Sequence, residues 1–116
     1  MESILTTIKR QFPIEENDTS FDETLKTTIN SVFSILWQLG VGPKDGFAIE
    51  GYEETWNDYI QGDPYTLRDV RTYMYVKVKL IFDPPSNSAV LASMKEIAAE
   101  FESRINMTVD PGGKQE

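Results

Sequence analysis

Residues 67 to 85 constrain this chain more than any other stretch. They form its densest apolar and aromatic run, opening after the turn-like Gly62-Asp63-Pro64 and stopping at Pro84-Pro85. Two periodicities compete for it. At period two, Met74, Val76, Val78, Leu80 and Phe82 alternate with Tyr73, Tyr75, Lys77, Lys79 and Ile81, as in a strand. At three- and four-residue steps, Leu67, Val70, Met74, Val78 and Ile81 share a helical face, and Tyr73, Val76 and Leu80 widen it almost all round. Pattern alone leaves residues 73–82 open between the two. Three further features favour a helix. The run from Thr66 to Phe82 is long for a strand. Thr66 followed by Asp69 resembles a capping box, with Asp for the usual Glu or Gln. The neighbouring segments also read as helical. The expectation is a central, buried helix over 66–82, with Arg68, Arg71, Tyr75 and Lys79 as a narrow basic stripe. Such a stripe reads first as a solvated edge whose alkyl stems cover the core, and second as a binding strip.

The flanking segments follow the same logic. Ser3 is placed to cap a short helix over 3–12, with Ile4, Leu5, Ile8 and Phe12 on one face. Lys9 and Arg10 fall in its last turns, where they complement the dipole, and Pro13 ends it. After an acidic loop, Ser20 with Glu23 forms a capping box for a longer helix. Its stripe is Phe21, Leu25, Ile29, Val32, Phe33 and Leu36, closed by Trp37 and Leu39, and Gly40 stops it. Residues 40–52 are a glycine-rich loop in which Phe47 and Ile49 point one way; its Gly-x-Gly lacks the rest of any phosphate-binding fingerprint. Residues 53–60 suit one or two helical turns with Trp56 and Tyr59 or Ile60 inward. Asn87 or Ser88 is placed to cap a last helix over 88–107, with Val90, Leu91, Met94, Ile97, Ala98, Phe101 and Ile105 on one face. The fold expected is all-α: a small bundle of about four helices plus one short helix, with a long glycine-rich loop. At 116 residues it is a single domain over 1–107, followed by a flexible C-terminal tail over 108–116.

Composition narrows the function. The chain has no cysteine and no histidine, so disulfides, thiolate chemistry and the commonest general base and transition-metal ligand are all lacking. The carboxylate pairs Glu15-Glu16, Glu53-Glu54 and Asp58 with Asp63 sit in acidic loops and read as solvated rather than as a split acid/base pair. No calcium-loop spacing occurs. No catalytic, cofactor or metal residue is therefore assigned, and the expectation is a non-enzymatic protein. The N-terminal residues lack a signal-peptide layout and no apolar run approaches a membrane span, which suits an intracellular soluble protein. A formal net charge of -8 disfavours gripping a nucleic-acid backbone. Charge is also segregated, with acids at 14–25 and 44–63 against the basic stripe, which suits a mixed-charge partner or a copy of the same chain.

Several stretches, taken together, resemble the small head–tail connector (adaptor, or head-completion) proteins of tailed bacteriophages. They are Met1-Glu2-Ser3-Ile4-Leu5 with Ile8-Lys9, then Ile29-Asn30-Ser31-Val32-Phe33, then Gln38-Leu39-Gly40-Val41-Gly42-Pro43, then Trp56 with Tyr59. Thr72-Tyr73-Met74-Tyr75-Val76-Lys77-Val78, Phe82-Asp83-Pro84-Pro85 and Glu100-Phe101-Glu102-Ser103-Arg104-Ile105-Asn106 complete the set. The resemblance runs in order over nearly the whole chain, and the segment from Tyr73 to Pro85 is its most specific part. It implies an all-helical structural protein that assembles as a ring of about a dozen copies under the portal. The ring continues the DNA channel and carries the next neck or tail-completion protein. Host cytoplasm during assembly and the virion neck are the implied locations, and no membrane is involved. DNA passes through the ring without sequence-specific binding.

Under that resemblance, Arg68, Arg71 and Lys79 are candidate subunit-interface residues against Glu15, Glu16, Glu53 or Glu54 of a neighbour. Arg104, Ile105, Met107 and Val109 are candidate portal-docking residues. An acidic DNA-mimic inhibitor and a small enzyme using lysine or carboxylate are the alternatives, the first weakened by the basic stripe that interrupts an acidic face.

Overall fold

The computed structural model describes residues 3–61 and 64–109; of the tail expected over 108–116, residues 108 and 109 continue the last helix and the rest lies outside the described residues. Five helices run in the order α1 (Ile4–Lys9), α2 (Asp22–Gln38), α3 (Trp56–Tyr59), α4 (Pro64–Phe82) and α5 (Ser88–Val109). Residues 73–82 are helical, so the all-α expectation holds. Three helices are long and two are short; α1 ends three residues before Phe12, yet Phe12 is buried as its apolar pattern requires.

Ser3 caps α1 as expected, its Oγ accepting from the Thr6 N–H at 3.0 Å. Two other starts differ from expectation. Helix α4 begins at Pro64, where a missing N–H costs nothing, so Thr66 lies inside the first turn and is not the cap. Phe21 is the N-cap of α2 and makes no side-chain cap bond. The Ser20–Glu23 box does not form because Asp18 takes Ser20 first, accepting from its N–H at 3.0 Å and its hydroxyl at 2.6 Å. That local side-chain turn competes with capping.

The far end of α2 is a full Schellman stop. Gly40 has φ 94, its N–H reaches the Trp37 carbonyl at 3.0 Å, and the Val41 N–H reaches that of Leu36 at 2.9 Å. The glycine-rich loop then folds back on the helix. Asn30 uses both ends of its amide on one residue, donating to the Ile49 carbonyl at 2.9 Å and accepting from the Ile49 N–H at 2.8 Å. That clamp buries Ile49 and seats Phe47 on Phe33, with ring centroids 5.1 Å apart. Tyr59 completes the cluster, 4.6 Å from Phe33 and 5.1 Å from Phe47. Helix α3 is only one turn. It persists because Thr55 and Asp58 form a reciprocal capping box and because Trp56 is buried, its indole N–H donating to Thr7 at 2.9 Å.

Helix α4 is the centre, packed by both α2 and α5. It buries Val70, Tyr73, Met74, Val76 and Val78, and full burial of side chains of this size stabilises by roughly 1.5–3 kcal/mol each. The Pro84-Pro85 turn reverses the chain, and Asn87 caps α5 by accepting from the Ala89 and Val90 N–H groups at 2.9 and 3.0 Å. Glu102 of α5 then takes the Tyr73 hydroxyl at 2.7 Å and faces Lys77 at 3.8 Å, fixing the hairpin's register. The molecule is flat, 45 × 36 × 20 Å. Flatness explains the apolar residues that miss the core: Trp37, Ile81, Val90 and Ile97, all read inward from the pattern, are exposed. With α5 seated mainly on α4, only part of its stripe finds a partner.

Candidate functional site

The basic stripe divides into two kinds of residue. Lys79 is committed within the chain, pairing with Asp83 at 3.1 Å and lying 5.8 Å from the Phe12 ring centre. Its role follows the stem-covering reading. Arg68 and Arg71 are exposed and form no ion pair among the described residues. Each instead lies over an aromatic ring at 5.4 Å, Arg68 on Tyr65 and Arg71 on Trp56. Two grooves share Arg71 and Thr72. One, of about 440 Å³, is lined by Leu67, Arg68, Arg71 and Thr72. The other, of about 240 Å³, runs between α1, α3 and α4 past Thr7, Gln11, Trp56, Arg71, Thr72 and Tyr75. A guanidinium over a ring face can still present its N–H edge to a bidentate carboxylate.

The acidic residues named with that stripe also separate. Glu15 is exposed, and its carboxylate makes no hydrogen bond or ion pair among the described residues. Glu16 pairs with Arg10 at 2.8 Å on the surface. Glu53 is exposed. Glu54 turns inward, one carboxylate oxygen accepting from the Glu50 N–H at 3.0 Å and the other buried with no partner among the described residues. Its carbonyl takes the Ile4 N–H at 2.9 Å, tying the N-terminus to the segment before α3. At the end of α5, Ile105 is buried in the core, Arg104 pairs with Glu100 at 2.6 Å, and Met107 is 65% exposed. The Val109 side chain lies outside the described residues.

Sequence reasoning missed the most unusual group. Lys9 is 1% exposed. Its ammonium donates to the Tyr52 hydroxyl at 2.9 Å, the Glu16 carbonyl at 3.0 Å and Asp22 at 3.1 Å. The Tyr52 hydroxyl donates in turn to the other Asp22 oxygen at 2.5 Å. Burial pulls the Lys9 pKa down, but the bonds to Tyr52 and Asp22 and the Asp22 charge outweigh it, so the pKa sits above the ordinary lysine value. Tyr52 is pushed up by burial and by its bond to Asp22. This knot joins the end of α1, the acidic loop, the start of α2 and the glycine-rich loop. It satisfies itself internally and offers no free group to a ligand.

Among the described residues, no group of three or more acidic side chains is placed to hold a metal ion, and no helix is long and apolar enough to cross a membrane. What the described surface offers is a groove bordered by two arginines without ion pairs, an exposed acidic loop and one exposed methionine near the end of α5. A protein-family model described as phage connector protein matches residues 4–112. None of the curated proteins or solved structures compared with the chain matches it.

Proposed function

The chain belongs to the phage connector proteins, and from that premise we propose that it is a ring-forming structural component of the virion neck, seated at the portal vertex between the DNA-filled head and the tail. The extent of the family match carries this reading. Residues 4–112 take in all five helices, from the first residue of α1 to beyond the end of α5.

In this reading the chain does no chemistry and works through shape. Copies, about a dozen in number, stand side by side around the DNA path, and unlike patches on each copy meet the next. A net charge of -8 suits a conduit, because like charge lets DNA slide rather than stick. The portal partner docks at the tip of α5, where Met107 stands exposed beside Arg104; Ile105, being buried, holds that tip in place. The next neck or tail-completion protein takes the opposite rim. Assembly takes place in the host cytoplasm.

Electron microscopy of a lysate lacking only this protein tests the proposal. Free tails beside heads that packaged DNA but failed to retain it or join a tail are expected. Complete, infectious particles would overturn it.

A further inference from the structure

We propose that the Arg68–Arg71 groove receives the acidic loop around Glu15 and Glu16 of a second copy of the chain, a contact that repeats head to tail. The inference rests on the connector reading and specifies its subunit contact. Six of the described cations, Lys9, Arg10, Lys26, Lys77, Lys79 and Arg104, already have a carboxylate within 4 Å. Lys44, Arg68, Arg71 and Lys95 have none among the described residues, although the chain carries 19 acidic residues, and of these four Arg68 and Arg71 stand together on one groove. Arg68 lies over the Tyr65 ring and Arg71 over that of Trp56, both at the edge of a groove.

The acidic loop is the complementary knob. Glu15 has no side-chain partner among the described residues, Glu16 pairs with Arg10 at the surface, and Asp18 is held below the usual carboxylate range by hydrogen bonds it accepts from Ser20. The loop is fixed from beneath by the bond from buried Lys9 to the Glu16 carbonyl.

Within one copy this contact is not made. Phe12 packs on Phe82 with ring centroids 5.4 Å apart, and Pro13, Ile14 and Phe82 line one groove, so the acidic loop lies at the C-terminal end of α4. Arg71 lies 11 residues before Phe82, roughly 16 Å along the helix axis. The acidic loop thus sits at the C-terminal end of α4, whereas Arg68 and Arg71 lie in its N-terminal half. A contact between unlike patches is heterologous, and it closes into a ring or continues as a filament.

The absence of cysteine makes the test direct. Thr72→Cys on the groove and Asn17→Cys on the loop leave all the proposed charges in place. The full-length double variant is oxidised both as purified protein and in phage particles. A ladder of multimers is expected, while either single variant stops at monomer. Arg68→Glu with Arg71→Glu lowers cross-linking about tenfold or more, and Glu15→Lys with Glu16→Lys restores it. Arg68→Glu alone, on a side chain stacked only on exposed Tyr65, gives the same direction without disturbing the Trp56 contact. Dimers from Thr72→Cys alone, a ladder indifferent to charge reversal, loss caused by Glu53→Lys instead, or no ladder in either preparation would each overturn the contact. The parent reading is read out separately. A ladder from purified protein together with absence of the chain from the particle neck would sink the connector function and leave the contact standing.

Discussion

Lys9 shows how far a single residue can depart from its surface-loving chemistry. Its ammonium is stable in the interior because three oxygens surround it, one of them the Asp22 carboxylate. Lys9→Met keeps the apolar stem and removes the charge, stranding Asp22 and Tyr52. Since Asp22 keeps partial contact with water, the expected loss is about 2–3 kcal/mol, the lower side of a broken buried pair. Urea denaturation measures it, and an unchanged midpoint would show that the knot contributes nothing. Gly42 is the second such position. Its φ is 98, and an added Cβ would lie 2.7 Å from the Tyr59 ring, which Phe33 and Phe47 hold in place. Gly42→Ala should cost roughly 2 kcal/mol or more, from backbone strain and that collision together. Neither feature was visible in the sequence. Lys9 sits near the end of a short amphipathic helix and looks like a dipole partner; the groups that bury it are 13 and 43 residues away.

At the level of elements, legibility followed the range of the forces involved. The helices of α2, α4 and α5 and the turns that separate them are written in local periodicity, in Gly40 and in Pro84-Pro85. Thr55 and Asp58 form the kind of box that Ser20 and Glu23 do not, because nothing near Thr55 outbids its backbone partner while Asp18 outbids that of Ser20. The inward facing of Trp37, Ile81, Val90 and Ile97 was misjudged because a stripe gives a helix's apolar side but not how much of that side a neighbour covers. The candidate site was half legible: the stripe could be drawn, but only packing shows that Lys79 is spoken for and that Arg68 and Arg71 are not. Asn87 offers a clean check of a local rule. Asn87→Ala removes both bonds to the first turn of α5 and should lower stability by about 1 kcal/mol. Because α5 packs on α4, the loss should appear as faster amide exchange in the first turns of α5 before the rest of the helix.

Over the whole molecule, protons held by one buried lysine and three hydrogen-bonded or buried tyrosines give stability a common pH limit. Lys9 is raised above its ordinary 10.5, and Tyr52, Tyr59 and Tyr73 above 10.0. Burial raises Tyr59 alone, and burial followed by the bond to Glu102 raises Tyr73. In each case the unfolded chain releases its proton first. Stability is therefore fully present below about pH 10 and falls as pH rises beyond it. Denaturation midpoints measured from neutral pH upward should hold level and then decline, with the phenolate absorbance of Tyr59 and Tyr73 appearing only as the protein unfolds. A midpoint independent of alkaline pH would contradict this. The two tryptophans add an optical consequence. Trp56 lies buried beneath Arg71, whereas Trp37 stands at the exposed end of α2 with its indole N–H on the Lys44 carbonyl at 3.0 Å. A soluble quencher should dim Trp37 first and reach Trp56 only on unfolding. A neighbour arriving at Arg71 should shift the protected emission while leaving the accessible one dark to the quencher, so the unlabelled chain carries its own two-colour gauge of assembly.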